Sequence, residues 1–342
     1  MNTKINSKKI LVTGGTGFLG KRAALRLAQQ GYTVTVAARN LLPAGDLFQY
    51  GVRLYKMDLE NELEVVNACK GHDIVLHCGA LSKPWGHYQD FYRTNVLGTK
   101  HVIEGCFTHD IQRLIHISTP SLYFDYTDRF NINESSSLPV KPCNAYAATK
   151  RIAEEEVDLA STEGLNTITL RPRGIFGPGD TTILPRIIEA NNKKNLPIIN
   201  NGNAKIDMTY VDNVVDAIIL SIEASPKVFG KKYNLTNGEP WTIFALMQSL
   251  FLKLGTPLYL KKIPYPIAYL LAWGSEIYSK LCNHYNEPKF TRYTVGVIAK
   301  SQTLDIESAK NDLGYTPRIG IEEGINRFVK WWKDKERYGI DR

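Results

Sequence analysis

The chain has 342 residues, 43% hydrophobic and 22% charged, enough for one large domain or two intimate ones, with no linker or repeat interrupting it. Its five cysteines, Cys69, Cys78, Cys106, Cys143 and Cys282, have neither metal-ligand spacing nor an even disulfide framework, and the seven histidines are scattered, so no metal site is expected. The formal charge of +8 is spread along the chain without a dense basic run, which argues against nucleic acid and for anionic small molecules. The first nine residues are polar and basic without an apolar core; no signal peptide is expected, and reduced thiols in a cytoplasm are the expected setting.

The first predicted strand, Ile10-Leu11-Val12-Thr13, runs into Gly14-Gly15-Thr16-Gly17-Phe18-Leu19-Gly20 and then an amphipathic helix to about Gln30. This strand, tight turn and helix suit a dinucleotide: Gly14 permits a positive φ, Gly17 lets backbone approach a pyrophosphate, and Gly20 lets helix and strand pack closely. Gly14, Thr16, Gly17, Phe18, Leu19 and Gly20 are therefore expected to line the cofactor, with phosphates on the helix N-terminus. The second strand, Thr33 to Ala38, ends in Arg39-Asn40 without the carboxylate that would favour NAD; Arg39, assisted by Arg22, is expected to grip a 2′-phosphate, so NADPH is preferred over NAD.

The third strand, Val52 to Lys56, leads to Met57-Asp58-Leu59. Asp58 is expected to accept from the adenine amino group, or to cap the helix Asn61 to Cys69, while Leu59 covers the ring. After the fourth strand, Ile74 to Cys78, the small residues Gly79 and Ala80 would let the cofactor lie against backbone, with Cys78 packed beside them.

The fifth strand, Arg113 to Ile117, ends in Ser118-Thr119-Pro120-Ser121. A hydroxyl at a strand's carboxyl end faces the ligand cleft of a doubly wound sheet. Thr119 is the preferred candidate to hold a substrate oxygen, with Ser118 and Ser121 as rivals. Then Asn144-Ala145-Tyr146-Ala147-Ala148-Thr149-Lys150 puts Tyr146 and Lys150 four residues apart, on one helix face and about 6 Å apart along the axis. A phenol is a poor acid–base group at neutral pH unless a neighbouring cation favours phenolate, so Lys150 is expected to tune Tyr146 and to hold the nicotinamide ribose.

With these motifs, together with Thr94-Asn95-Val96-x-Gly98-Thr99, the chain resembles the extended short-chain dehydrogenase/reductase superfamily over nearly its whole length. The resemblance implies an α/β fold, a Rossmann-type doubly wound parallel sheet with a smaller C-terminal substrate-binding domain. It implies a triad of Thr119, Tyr146 and Lys150, with threonine where serine is commoner, and Asn95 supporting the helix and strand beside the cofactor. Arg171-Pro172-Arg173-Gly174-Ile175-Phe176-Gly177-Pro178-Gly179-Asp180 looks like the cofactor-covering segment, with Pro172, Gly174 and Ile175 towards the cofactor. Ile206 stands where nucleotide-sugar enzymes commonly carry arginine before an aspartate, here Asp207, and it cannot bind a diphosphate. Ser82-Lys83-Pro84-Trp85-Gly86 and Asn286-Glu287-Pro288-Lys289-Phe290-Thr291-Arg292 resemble instead the 3β-hydroxysteroid dehydrogenase branch, and within it the enzymes that reduce 2-alkyl-3-oxoalkanoates with NADPH.

The expected division is a nucleotide-binding domain at 1–181, completed by 207–236, and a substrate-binding domain at 182–206 and 237–342. Trp85, Tyr123, Arg173, Phe176 and Tyr210 are the expected pocket residues. The apolar run Ile263 to Gly274 is read in three ways: an apolar helix packed on its own domain, a lid over an alkyl chain, or a reversible membrane-surface contact. Trp331 and Trp332 should anchor the last helix. The family often pairs through two helices, here Asp90 to Thr108 and Asn144 to Gly164, so a homodimer is expected. The expected activity is NADPH-dependent reduction of a ketone, a β-keto acid above all; oxidation of a 3β-hydroxysteroid and a noncatalytic NADPH-binding regulator are the alternatives.

Overall fold

Strand β1 (Lys9–Thr13) is an interior strand of the main sheet because four of its five side chains are apolar or small and can be buried there. In the computed structural model, which describes residues 8–338, it is followed by helix α1 (Phe18–Gln29), β2 (Thr33–Ala38), β3 (Arg53–Lys56), α2 (Glu62–Cys69) and β4 (Ile74–His77). The residues ahead of Lys8, on which much of the expectation about a leader rests, lie outside the described ones. Helix α3 (Tyr88–Phe91) continues through a π-helical turn at Tyr92–Leu97 into α4 (Gly98–Thr108), and β5 (Arg113–Ile117), β6 (Arg129–Ile132), α5 (Ala145–Thr162) and β7 (Thr167–Pro172) complete the first half.

The second half begins with β8 (Ile175–Phe176), α6 (Leu184–Asn192), β9 (Leu196–Ile198), β10 (Lys205–Ile206), β11 (Thr209–Tyr210) and α7 (Val211–Glu223). It continues with β12 (Lys231–Leu235), β13 (Trp241–Thr242), α8 (Ile243–Leu254), β14 (Leu260–Lys262) and α9 (Tyr265–Cys282). Last come α10 (Arg292–Ala299), β15 (Gln302–Leu304), α11 (Glu307–Leu313) and α12 (Ile321–Tyr338).

Seven strands form one parallel sheet in the order β12-β7-β5-β4-β1-β2-β3. Parallel neighbours need crossovers, and here helices cover both faces: α1, α7 and α11 contribute to one core, α2, α4 and α5 to the other. Each fully buried Val, Leu or Ile of these strands is worth about 1.5–3 kcal/mol relative to exposure. Strand order reverses between β1 and β4, which opens the crevice where doubly wound sheets bind ligands.

A second core gathers Leu184, Met208, Leu246, Leu250, Ile325 and Phe328. A four-stranded sheet, β13-β10-β15-β6, and two short ladders, β11-β8 and β14-β9, knit this part to the first. Trp331 and Trp332 pack on Phe328 and anchor α12, as their sequence position suggested.

Candidate active site

The glycine turn is formed as its composition requires. Gly14 has φ +64°, and a Cβ there would lie 2.6 Å from the Cα of Gly79; a Cβ on Gly20 would lie 2.5 Å from the Gly14 carbonyl oxygen. The turns after β1 and β4 thus touch backbone to backbone across the switch point. Gly17 starts α1 with no side-chain cap and no acidic residue in the first turn, so the first N–H groups of the helix are open to an anion. Phe18 packs against Gly179 of the segment after β7, which brings that segment over the turn carrying Thr16 and Leu19.

Arg39 is exposed at the end of β2 and, with Asn40, Leu41, Leu42 and Lys56, lines an open depression of about 330 Å³. Lys56 was not foreseen; it pairs in register with Ala38 on the neighbouring strand, which puts a second cation beside Arg39. Arg22, expected to assist, does not. Its fork closes on Asp212 of α7, Nε to Oδ1 at 2.6 Å and Nη2 to Oδ2 at 2.8 Å. Leu59 is buried against Gly79 and Gly98. Asp58 is not the cap of α2, since that role belongs to Asn61, whose side chain accepts from the Glu64 amide; Asp58 accepts from the amide of Glu60.

Behind the cleft, Asn95 is buried and fully committed. Its Oδ1 accepts from Leu81 N at 2.7 Å and its Nδ2 donates to Leu81 O and to Thr149 Oγ1. It clasps the chain after β4 to α5, which is support for the wall that Ala80 begins. His77 and His116, paired in register on β4 and β5, are held neutral, His77 at about 3, by burial and by the Lys150 charge. Cys78 is pushed up to about 12 by burial and stays a thiol.

The row of candidate catalytic groups lies along α5 and the end of β5. Asn144 caps α5 by accepting from Ala147 N at 2.8 Å, and so fixes where Tyr146 begins its turn. Among the three rival hydroxyls the structure distinguishes clearly. Ser118 is buried with its hydroxyl unpartnered, the Thr119 hydroxyl faces the Tyr146 phenol and favours its ionised form, and Ser121 stands behind Thr119, accepting from it at 3.0 Å. Burial raises the Tyr146 pKa, while the Ser82 and Thr119 hydroxyls work in the opposite direction. Ser82 opens the Ser82–Gly86 motif but was not expected as a site residue; its place in the loop after β4 was the further signal.

Lys150 is buried and donates to the Ile117 carbonyl at 2.7 Å, with His116 Nε2 at 3.1 Å. Burial lowers its pKa to about 8, against the opposing charge of Glu154.

One turn beyond Lys150, Glu154 receives the Arg171 guanidinium of β7 in a fully buried pair. Arg171 also donates to Tyr123, whose hydroxyl donates on to Asn234 of β12 at 3.1 Å. Tyr123 is therefore a scaffold residue, which corrects its expected place in the pocket. Phe176 and Tyr210 are corrected too: they meet edge to face in the second core, completely buried and pressed against Gly324 of α12.

Arg173, expected in the pocket, lies at the edge of the sheet's cleft. It follows the end of β7, beside β5, with only 6% of its surface exposed, and among the described residues its guanidinium has neither an ion pair nor a side-chain hydrogen bond. Burial lowers its pKa, and the charged group facing it at longer range is Asp207. Tyr293 was also unforeseen. Its hydroxyl meets Ser121 Oγ at 2.8 Å, extending a chain of hydroxyls from Tyr146 through Thr119 and Ser121. Phe124, Tyr126, Tyr265 and Tyr269 add an aromatic wall beside it. Trp85 reaches from the Ser82 loop to α9, donating to Ser279 Oγ at 3.0 Å. Among the described residues no group of metal-ligating side chains is assembled.

With this strand order and this edge, the chain is of the extended short-chain dehydrogenase/reductase class, NAD(P)-dependent oxidoreductases acting on CH–OH groups. More narrowly, it belongs to the 3-beta hydroxysteroid dehydrogenase/isomerase family, whose profile matches residues 11–265. It is 36% identical over 330 residues to a 2-alkyl-3-oxoalkanoate reductase of Stenotrophomonas maltophilia, covering 93% of this chain and 98% of that one. It is 33% identical over 337 residues to the decarboxylating sterol-4-alpha-carboxylate 3-dehydrogenase of Mus musculus, covering 95% and 91%. Among solved structures, the UDP-glucose 4-epimerase of Thermotoga maritima shares the fold, with a TM-score of 0.78 at 22% identity over 96% of this chain and 99% of that one.

Proposed function

We propose that the protein reduces the ketone of a 2-alkyl-3-oxoalkanoate to the 3-hydroxy acid, with NADPH as reductant. The observation that carries the substrate class is Arg173. A guanidinium so deeply buried without a carboxylate partner is costly, and an anionic substrate group in the cleft would complete it. The names of both relatives describe a carboxyl group on the carbon next to the oxidised one, a β relationship that fits a cation set beside the carbonyl-binding hydroxyls. The aromatic wall of Phe124, Tyr126 and Tyr269 suits an alkyl substituent.

The glycine cradle and the open N-terminus of α1 fit a dinucleotide pyrophosphate. Arg39 and Lys56 favour a 2′-phosphate, where an NAD-preferring chain would carry an acid. When bound, the reduced nicotinamide supplies the hydride to the carbonyl carbon. Thr119 and Ser82 hold the carbonyl oxygen, and Tyr146, kept protonated by burial, gives that oxygen its proton. Lys150 holds the nicotinamide ribose and, once the phenol has given up its proton, counters the phenolate charge. Run backwards, the same residues oxidise an alcohol. A ring alcohol without a carboxylate, however, leaves Arg173 unpaired, which favours the oxo acid over a simple 3β-hydroxysteroid.

A homodimer through α4 and α5 fits the exposed Phe107 and Leu159 on those helices, beside the Lys100–Glu156 pair.

Arg173→Leu is the decisive test, using NADPH consumption with a 2-alkyl-3-oxo acid and with the dialkyl ketone that lacks only its carboxylate. Loss of a buried charge-assisted contact should cut kcat/KM for the acid on the order of 100-fold and leave the dialkyl ketone nearly unaffected. Equal losses on both substrates would remove the carboxylate from the reading.

A further inference from the structure

Helix α9 is turned inside out relative to an ordinary surface helix. Its buried stripe is Ala268, Ala272, Glu276 and Ser279, small or polar, whereas Ile267, Leu270, Leu271, Trp273, Ile277, Tyr278 and Leu281 project outward. Leu270 and Leu271 are each 62% exposed and Leu281 is 79% exposed. At 100° per residue these positions share one continuous face, the geometry of a helix lying in a membrane interface rather than one packed on its own domain or closed over a pocket. Among the described residues no helix is long and apolar enough to cross a membrane.

The charges around this face choose between occupants. Lys261 and Lys262 are exposed immediately before the helix, and Lys280 lies exposed in its last turn, its ammonium 5.5 Å from the centre of the Trp85 ring. The one carboxylate between positions 256 and 286, Glu276, is buried and paired with Arg292 at 2.7 Å. A second copy docked through the same face would set lysines against lysines with no acid to meet them. An anionic lipid surface meets both the apolar stripe and its basic flank, and Trp273 and Tyr278 are side chains suited to the headgroup level.

We infer that α9 docks the protein reversibly on a bilayer surface containing anionic phospholipid, its apolar face entering the boundary between headgroups and acyl chains. The buried stripe of the same helix holds the Trp85 loop through Ser279, so the docked face lies on the opposite side of α9 from the loop that carries Ser82. The docking surface is independent of the identity of the substrate reduced at Tyr146.

Sedimentation with vesicles of phosphatidylcholine alone, or mixed equally with phosphatidylglycerol, tests this on the full chain. Wild-type protein should pellet with the anionic vesicles and be released by high salt. Two variants, Leu270→Ser/Leu271→Ser/Leu281→Ser and Lys261→Glu/Lys262→Glu, should each weaken vesicle partitioning by about ten-fold or more, while nucleotide fluorescence still reports normal NADPH binding. Failure of the wild type to bind anionic vesicles, or undiminished binding by the serine variant, overturns the proposal. So does a wild-type dimer that the serine variant converts to monomer without any vesicle binding, which would assign the face to a second copy.

Discussion

In the proposed reaction Tyr146 and Lys150 divide the work of proton transfer unequally. The phenol is raised by burial and keeps its proton at neutral pH, as a donor to a developing alkoxide must, whereas the ammonium is lowered to about 8. Tyr146→Phe should therefore fold and bind NADPH normally but lose turnover by about 10²–10⁴-fold in single-turnover assays; a near-normal rate would remove it from the mechanism. The alkaline limb of kcat/KM should follow Lys150 in the free enzyme, with activity falling as pH rises through about 8. Lys150→Arg, which does not titrate there, should move that limb upward, and a limb that stays in place belongs to another group. At this scale the sequence told the identity of the row but not its wiring. The four-residue spacing announced Tyr146 and Lys150, but choosing Thr119 over Ser118 and Ser121 depends on side-chain direction at the end of β5, which no local pattern encodes.

In the proposed reading, elements carry the cofactor specificity. Strand β2 ends in Arg39, and its neighbour β3 contributes Lys56 to the same depression. Arg39→Asp should shift the ratio of kcat/KM for NADPH over NADH by on the order of 100-fold towards NADH, and an unaltered ratio would show that the 2′-phosphate is held elsewhere. The strands and helices of the nucleotide half were readable because each announces itself within about thirty residues. Phe176 and Tyr210 were misread because their partner, Gly324, lies far along the chain, as Asp212 does from Arg22. For α9, an apolar run normally signals burial. Which face is buried was decided by the small residues Ala268 and Ala272, and a list of hydrophobic residues hides that choice.

The molecule as a whole places its uncompensated groups where the two halves meet. Asp207, between β10 and β11, accepts from Leu304 N at 2.7 Å but leaves its other oxygen without a partner, and burial raises its carboxyl to about 6. The folded state thus holds this proton up to about pH 6, and the unfolded chain releases it near pH 4. Across that window stability falls as pH rises, and the cost is fully present above pH 6. Asp207→Asn should raise Tm at pH 7.5 by about 2–4 °C per kcal/mol recovered, and the gain should vanish near pH 4. A gain that is the same at both pH values would assign the effect to packing. At the other end of the active-site row, Tyr146, Lys150 and Glu154 occupy successive turns of α5, and Glu154 is keyed into the sheet through Arg171. The helix cannot roll about its axis without stranding a buried charge. The residues outside this row can therefore diversify over evolutionary time while the register of Tyr146 stays indexed to β7, and Glu154 and Arg171 can be exchanged only together.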